Sequence, residues 1–447
     1  MATHWKWNAV CLALPMLLAG PAQAIGLWQA YEAALQHDPT YQSARYESEA
    51  GKEYKALGRA NLLPTLSASL SQSKNRADYT IHSERGGDST SHPQYTSRSN
   101  SLSLRQPLLN MEGWARYRQG QAQTELSDAQ FISRQHELML RVLSAYLDIL
   151  FAQDQVALMV AQRDTFAEHR KMNEKMFSKG EGTRTEMLET QAKLDVAEAQ
   201  LIEARDNLAN NKAVLSGIVG SNVQAVDELG KDFRLRPLQP NTFDAWRDLA
   251  LSNNPELKAQ EKAVEIAYQE IRRNKAGHLP RLDLVASLSK NQSETLSTSN
   301  QDSTVRSIGV QLNIPLYSGG YVNASSNQAV ANHQKAKADL NVRSDRVMQE
   351  IRKQFNLATS SAGKIEAVQK AVESSRLLIQ ATQQSIKGGL RINLDLLNAR
   401  QQYYSNLRDL AQAKYNYLQA WTRLRAAAGV LSAEDMRAIS AYFSEKR

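Results

Sequence analysis

The fourteen residues ANLLPTLSASLSQS (60–73) return 216 positions later as AGHLPRLDLVASLS (276–289), and the alternation within these two stretches decides the fold. In the first, Leu66, Ala68 and Leu70 share one face while Thr65, Ser67, Ser69 and Ser71 share the other. In the second, the apolar face is Leu282, Leu284, Ala286 and Leu288. A period of two, greasy on one face and small and polar on the other, marks a half-buried β-strand. Each stretch is followed by a returning strand of the same kind. Leu102 and Leu104 alternate with Ser101, Ser103 and Arg105, and Ile308, Val310, Leu312 and Ile314 alternate with Ser307, Gln311 and Asn313. Two amphipathic hairpins are therefore predicted, over 65–106 and 281–314. A hairpin laid on a globular core would show the same pattern, so the surrounding sequence has to arbitrate.

That sequence is duplicated. DPTYQSARYESEAGKEYKALGRANLLP (38–64) is echoed by NPELKAQEKAVEIAYQEIRRNKAGHLP (254–280), with Pro39 and Pro255, like Pro64 and Pro280, 216 positions apart. LSLRQPLLNMEGWARYRQGQA (102–122) pairs with VQLNIPLYSGGYVNASSNQAV (310–330), and Pro107 and Pro315 are 208 apart, an offset that Gly180 and Gly388 share. The change of offset falls in the Ser/His/Gly-rich stretch 73–99, which behaves as a loop of variable length. Each copy reads as helix, strand, loop, strand, very long helix, glycine turn and long helix. The predicted organisation is a leader over 1–24, a first repeat over 25–220, a linker over 221–252, a second repeat over 253–429 and a tail over 430–447. The helical tips fall at 179–183 and 387–390.

Residues 5–24, WKWNAVCLALPMLLAGPAQA, carry one charge (Lys6), an apolar run from Ala9 to Ala19 and the small-x-small triplet Ala22-Gln23-Ala24. This is the pattern of a cleaved export signal, with the cut expected after Ala24. Cys11, the chain's one cysteine, lies inside that leader, so the exported part has no disulfide to rely on. The formal charge of +8 becomes +7 without Lys6, and it is interspersed along helical faces. On an exported chain that excess does not argue for a nucleic-acid partner. With a mean hydropathy of -0.51 and no later run of eighteen uncharged apolar residues, no transmembrane helix is expected. A periplasmic protein, a secreted protein and an outer-membrane β-barrel remain.

The helical regions are extreme. From about Glu112 to Ser178 there is no proline, and the only glycines are Gly113 and Gly120 near the start. One continuous helix of that length would run about 100 Å. In the last helix Tyr403, Leu407, Leu410, Lys414, Tyr417, Trp421 and Leu424 step alternately by four and three, a coiled-coil seam broken once by Lys414. At that spacing the aromatic stripe reads as packing core.

Enzymatic signatures are missing. Gly51-Lys52, Gly230-Lys231 and Gly363-Lys364 are not followed by Ser or Thr, there is no HExxH or GxSxG, and the eight histidines are scattered. KGEGTRTE (179–186) looks like a phosphate loop but follows a long helix rather than a strand. The chain is read as a non-enzyme with no catalytic residue, cofactor or metal. Its hairpins then point to an outer membrane, apolar side to lipid. Four strands cannot close a barrel and an open edge cannot sit in lipid, so three chains supplying twelve strands is the economical closure.

Leader, duplicated unit, two hairpins and paired long helices broken by glycine tips together resemble the TolC-like outer-membrane efflux protein family. The resemblance covers essentially the whole exported chain. Its most specific pieces are the repeated Leu-Pro before each first strand, Pro107 and Pro315, PLYSGGYVN (315–323) and the two tips. It implies a mixed α and β membrane protein: a trimeric twelve-stranded outer-membrane β-barrel, four strands per chain. A long α-helical periplasmic barrel continues it, with a mixed equatorial region around the waist. AYEAALQHDPTYQSAR (30–45) is most similar to the branch serving type I protein secretion. The implied partners are two further copies of the chain, a periplasmic adaptor (membrane fusion protein), an inner-membrane ABC transporter, a secreted protein cargo and outer-membrane lipid. Multidrug, small-molecule or metal efflux on the same architecture is the alternative, and a periplasmic coiled-coil adaptor a distant one.

Gly180 and Gly182, like Gly388 and Gly389, are expected to take the positive-φ conformation that lets a helical hairpin reverse. Thr183 and Glu186 have the spacing of a capping box. In the family such tips dock the adaptor and close the periplasmic entrance through polar links and carboxylate rings. The resemblance carries link positions onto Glu186 and Arg391, a carboxylate-ring position onto Asp395, and a second acidic position onto Asn398; Glu189 is a further acid at the first tip. The family's tyrosine partner falls on Ile386, a departure from its gating pattern. Taken alone, Arg391 and Asp395 read as an i,i+4 pair on one helix, worth a few tenths of a kcal/mol.

Overall fold

The computed structural model describes residues 24–444 apart from 83, 85, 231, 232, 234, 236 and 294–300. Residues 1–23 of the leader, residues 294–300 of the second hairpin and the last three residues of the tail lie outside the described residues. The first repeat comprises helices α1 (Leu27–His37) and α2 (Pro39–Ala60), strand β1 (Thr65–Arg76), a short outer hairpin of β2 (Tyr79–Ile81) and β3 (Ser89–Ser91), and strand β4 (Gln94–Leu109). The long helices α3 (Met111–Ser178) and α4 (Arg184–Val219) complete it, and β5 (Glu228–Leu229) follows. Then come α5 (Phe243–Asn253), α6 (Pro255–Lys275), β6 (Arg281–Ser293), β7 (Gln301–Asn313), α7 (Tyr321–Lys387), α8 (Asn393–Ala427), α9 (Ala433–Ser440) and β8 (Phe443–Ser444).

The duplication is visible helix by helix: α5 and α6 stand 216 positions after α1 and α2. Helix α5 falls within the stretch that reads from sequence as linker, ending one residue beyond it. At each break between paired helices the sequence supplies an N-cap and then proline at the first helical position, where no N–H is needed. Asp38 accepts from Tyr41 N at 2.7 Å, and Asn254 accepts from Leu257 N at 2.9 Å.

The four long strands form one antiparallel sheet in the order β1-β4-β6-β7, so β1 and β7 are its edges. The register aligns the alternation of all four strands. Leu66 faces Leu104, Leu104 faces Ala286, and Ala286 faces Ile308. Strand β4 continues to Leu109, past the expected end at 106, because Pro107 is absorbed at an irregularity where the register shifts between Pro107 and Leu109. A proline cannot donate to the ladder, and a bulge is where a strand tolerates one.

Helices α3 and α4, and likewise α7 and α8, form antiparallel hairpins, and α3 also packs on α8. Among the described helices α3 alone is long and apolar enough by composition to cross a membrane. Its apolar stretch is instead the core of the waist: Leu138, Val142, Leu143, Tyr146 and Ile149 pack with α1, with Leu215 and Val219 of α4, and with Met436, Ile439 and Phe443. Tyr146 ties the surrounding segments to this core, its hydroxyl donating toward Ile25 O (3.1 Å) and Asp227 O (3.2 Å) and accepting from Asp227 N (2.9 Å). A second core joins Trp246 and Ala250 of α5 to Val347, Ile351 and Leu424.

Candidate functional site

The sheet is a wall with two chemistries. Even-numbered positions carry its apolar rows, and odd-numbered positions carry hydroxyls. Ser67, Ser103, Ser287 and Ser307 are successive partners across all four strands. Within each hairpin the hydroxyls meet at 2.7 Å, Ser67 with Ser103 and Ser287 with Ser307. The polar face is charged only at its helix-proximal end. There Asp283, its side chain 2% exposed, accepts from Arg105 at 3.0 Å (Nε) and 2.5 Å (Nη2) and from Arg281 at 3.2 Å. A carboxylate this buried needs such charge-assisted partners. The pairing joins the two repeats; its one sequence signal is Asp283 itself, an acid on the hydroxyl face of β6 two residues after Arg281.

At the far end of the molecule both helical hairpins reverse through the same double hydrogen bond. Glu181 N donates to Met176 O (2.9 Å) and Gly180 N to Phe177 O (3.0 Å); Leu390 N donates to Ser385 O (2.9 Å) and Gly389 N to Ile386 O (3.0 Å). This is the Schellman closure, which requires one left-handed residue. That residue is Gly180 at φ +76° and Gly389 at φ +71°. Two expectations are corrected. Gly388, at φ -84°, is the C-cap residue just after α7, and Gly182 is not left-handed either. A Cβ at Gly182 would make tight contacts of 3.2 Å with Met176 Cβ and Phe177 N. The tips therefore correspond at an offset of 209, one more than the glycine alignment indicates, which places Glu186 opposite Asp395 and Glu189 opposite Asn398.

The equivalent positions behave differently. Thr183 caps α4, its Oγ1 accepting from Glu186 N at 3.2 Å while Glu186 accepts from Thr183 N at 3.0 Å, the expected capping box. In α8 the capping position is Ile392, whose aliphatic side chain cannot accept a hydrogen bond, and Asp395 stands half-exposed at the third helical position. Arg391 lies in the turn before α8, so it and Asp395 are not a pair on one helix, and neither makes an ion pair among the described residues. Glu189 is exposed. Asn398 accepts from Lys193 Nζ at 3.2 Å, linking the second hairpin to the first.

Three features near the tips escaped the sequence. Asn173 donates to Thr190 Oγ1 at 2.8 Å, a buried clasp between α3 and α4. Thr165 and Tyr404 share a hydroxyl contact of 3.2 Å between α3 and α8. His169 is buried beside them, and burial together with the nearby Arg400 holds its imidazole below the usual histidine range. Near the waist, burial raises the carboxyl of Asp154 although Tyr415 donates to it at 2.7 Å, and burial lowers the ammonium of Lys414, the residue that breaks the heptad seam.

Comparison with known proteins agrees with this architecture. The family model for outer membrane efflux proteins matches residues 30–221 and 246–430, one match per repeat. The chain is 44% identical to the alkaline protease secretion protein AprF of Pseudomonas aeruginosa, covering 98% of this chain and 91% of the relative. It is 39% identical to the proteases secretion protein PrtF of Dickeya chrysanthemi, over 98% of this chain and 95% of the relative. Among solved structures, the Campylobacter jejuni CmeC outer membrane channel superposes with a TM-score of 0.78 at 17% identity, covering 99% of this chain and 98% of that one.

Proposed function

Because the chain belongs to the outer membrane efflux protein family, we propose that it is the outer-membrane channel of a type I protein secretion system. The observation that carries this reading is the sheet. It has an apolar face, a hydroxyl-lined face and two unpaired edges, so in lipid it has to be completed by other copies. Three chains close twelve strands, turning the apolar rows to lipid and the serine rungs to the lumen. The helical hairpins continue this barrel as a periplasmic tunnel. Serine rungs suit a moving polypeptide, since short hydroxyls wet the wall and offer no fixed charge to hold it.

The tips are the entrance. Asp395, released from capping by Ile392, faces its copies as a carboxylate ring that gathers cations, while Arg391 in the adjoining turn supplies polar links between chains. Glu186 and Glu189 mark the first tip, and Asn398 shares its link to Lys193. A periplasmic adaptor and an inner-membrane ABC transporter engage the tips. The links then break and the hairpins shift to admit the cargo. The relatives named for protease secretion support a secreted protease as that cargo.

The test is complementation. In cells lacking their own outer-membrane secretion channel but holding an inner transporter and adaptor for a secreted protease, this chain restores protease to the medium and runs as a heat-sensitive trimer in the outer-membrane fraction. Restored drug resistance without protease release would favour a drug-efflux channel. Recovery in the inner membrane or as a soluble monomer would overturn both.

A further inference from the structure

The apolar face of the sheet changes character partway along the strands. Nearest the helices its rows are Leu282 beside Leu312, Leu284 beside Val310, and Leu66, Leu104, Ala286 and Ile308 across the whole sheet. The next row, Ala68, Leu102, Leu288 and Arg306, brings the first base. Beyond it, on the same even-numbered side, come Lys290, Arg98, Lys74 and Arg76. At those levels the opposite face holds only uncharged residues such as Ser71, Ser73, Ser97, Ser99 and Asn291. All five bases are exposed, and none is in an ion pair among the described residues. Asp302 is the one acid in these rows, and it accepts from its neighbour Gln292.

Strands rise about 3.4 Å per residue, so the row of Arg306 lies about 20 Å along the strand from that of Leu312. The helices leave the sheet at the Leu312 end, so the bases sit toward the outer leaflet. Basic side chains on the lipid side are costly at mid-bilayer and tolerable only near headgroups, toward which long side chains extend. Three arginines and two lysines, confined to this side and to the outer part of the strands, from the row of Arg306 to that of Arg76 about 27 Å further out, call for anions in the lipid. We propose that they bind the phosphate groups of the phosphorylated glycolipid of the outer leaflet, with the arginine forks taking phosphate oxygens in pairs. The proposal requires the sheet to lie in the outer membrane and is independent of what passes through the channel.

The experiment uses the full assembled channel in phosphatidylcholine nanodiscs, confirmed first to be inserted, and reads retained lipid by native mass spectrometry. Diphosphoryl lipid A is compared with its dephosphorylated form. The charge-neutral variant K74Q/R98Q/K290Q/R306Q is compared with wild type and with K335Q/K370Q on α7. The expected result is retention of diphosphoryl lipid A at least about tenfold above the dephosphorylated form. That preference is lost in the four-site variant and kept in the α7 variant. Equal retention of the two lipids by wild type overturns the proposal, whether or not the four-site variant assembles. An unchanged preference in an assembled four-site variant overturns it too. Displacement of the lipid by inorganic phosphate at equal concentration would refute the assignment to a membrane glycolipid.

Discussion

Ile392→Ser tests whether Asp395 is available because its helix lacks a cap. The same protein shows what a cap does. Thr183 and Glu186 bond reciprocally at 3.0 and 3.2 Å, and in α9 Ser432 and Asp435 do so at 2.9 and 3.3 Å. The second pair has the Ser-x-x-Asp spacing that the substitution creates before α8. Ile392 is 58% exposed, so replacing it loses little buried apolar surface. Supplying the hydroxyl stabilises the first turn of α8 by about 1 kcal/mol. Amide exchange at the second tip then slows about fivefold, while the first tip is unchanged. On the proposed Asp395 ring, an entering cation must break this box, at about 1 kcal/mol for each carboxylate it engages. The divalent concentration that half-blocks the channel in planar bilayers therefore rises about fivefold, or more if several carboxylates bind one ion. Asp395→Asn sets the upper limit of the effect. Slower exchange with unchanged block would remove Asp395 from the cation site. Unchanged exchange and unchanged block together would refute the capping argument itself.

Three further outcomes follow from the structure. On the proposed gate, in which Arg391 links neighbouring chains, Arg391→Ser raises single-channel conductance; wild-type conductance would exclude Arg391 from the gate. Tyr146→Phe removes the hydroxyl that bonds Ile25 O and the backbone of Asp227, costing about 1 kcal/mol and speeding proteolysis within 221–229, and an unchanged digestion profile would contradict its role at the waist. For Asp154, burial raises the folded carboxyl above its unfolded value, so ionising it costs stability at pH values above the folded pKa, and that cost disappears as pH falls through it. Asp154→Asn therefore stabilises at pH 8, and the gain shrinks on acidification. A gain independent of pH between 4 and 8 would show that the charge is not the cause.

The alternation of the strands survives intact from sequence to structure because strand parity needs only one residue to set it. The Thr183–Glu186 box was legible for the same reason, being local and three residues long. The tip register was not. One residue gained or lost along a helix of 67 or 68 residues leaves its composition unchanged, and only the left-handed glycine shows where the turn falls. Aligning Gly180 with Gly388 hid the equivalence of Glu186 and Asp395. Pairings between repeats were equally hidden. Arg105 and Asp283 are 178 positions apart and Lys193 and Asn398 are 205 apart, and nothing local in either partner anticipates the other.

The buried waist on α3 also has a mechanical meaning. Between the tyrosine at 146 and the tip, α3 runs more than thirty residues without proline or glycine, a rod of about 50 Å. The core around Leu138–Leu150 clamps one end of that rod, and the tip end has the smaller set of packed residues around Phe166, Leu194 and Leu397. A tilt of about 5° at the clamp carries the tip about 4 Å sideways with every helical hydrogen bond intact. The waist thus has the geometry of a fulcrum, with the tip at the end of a long arm.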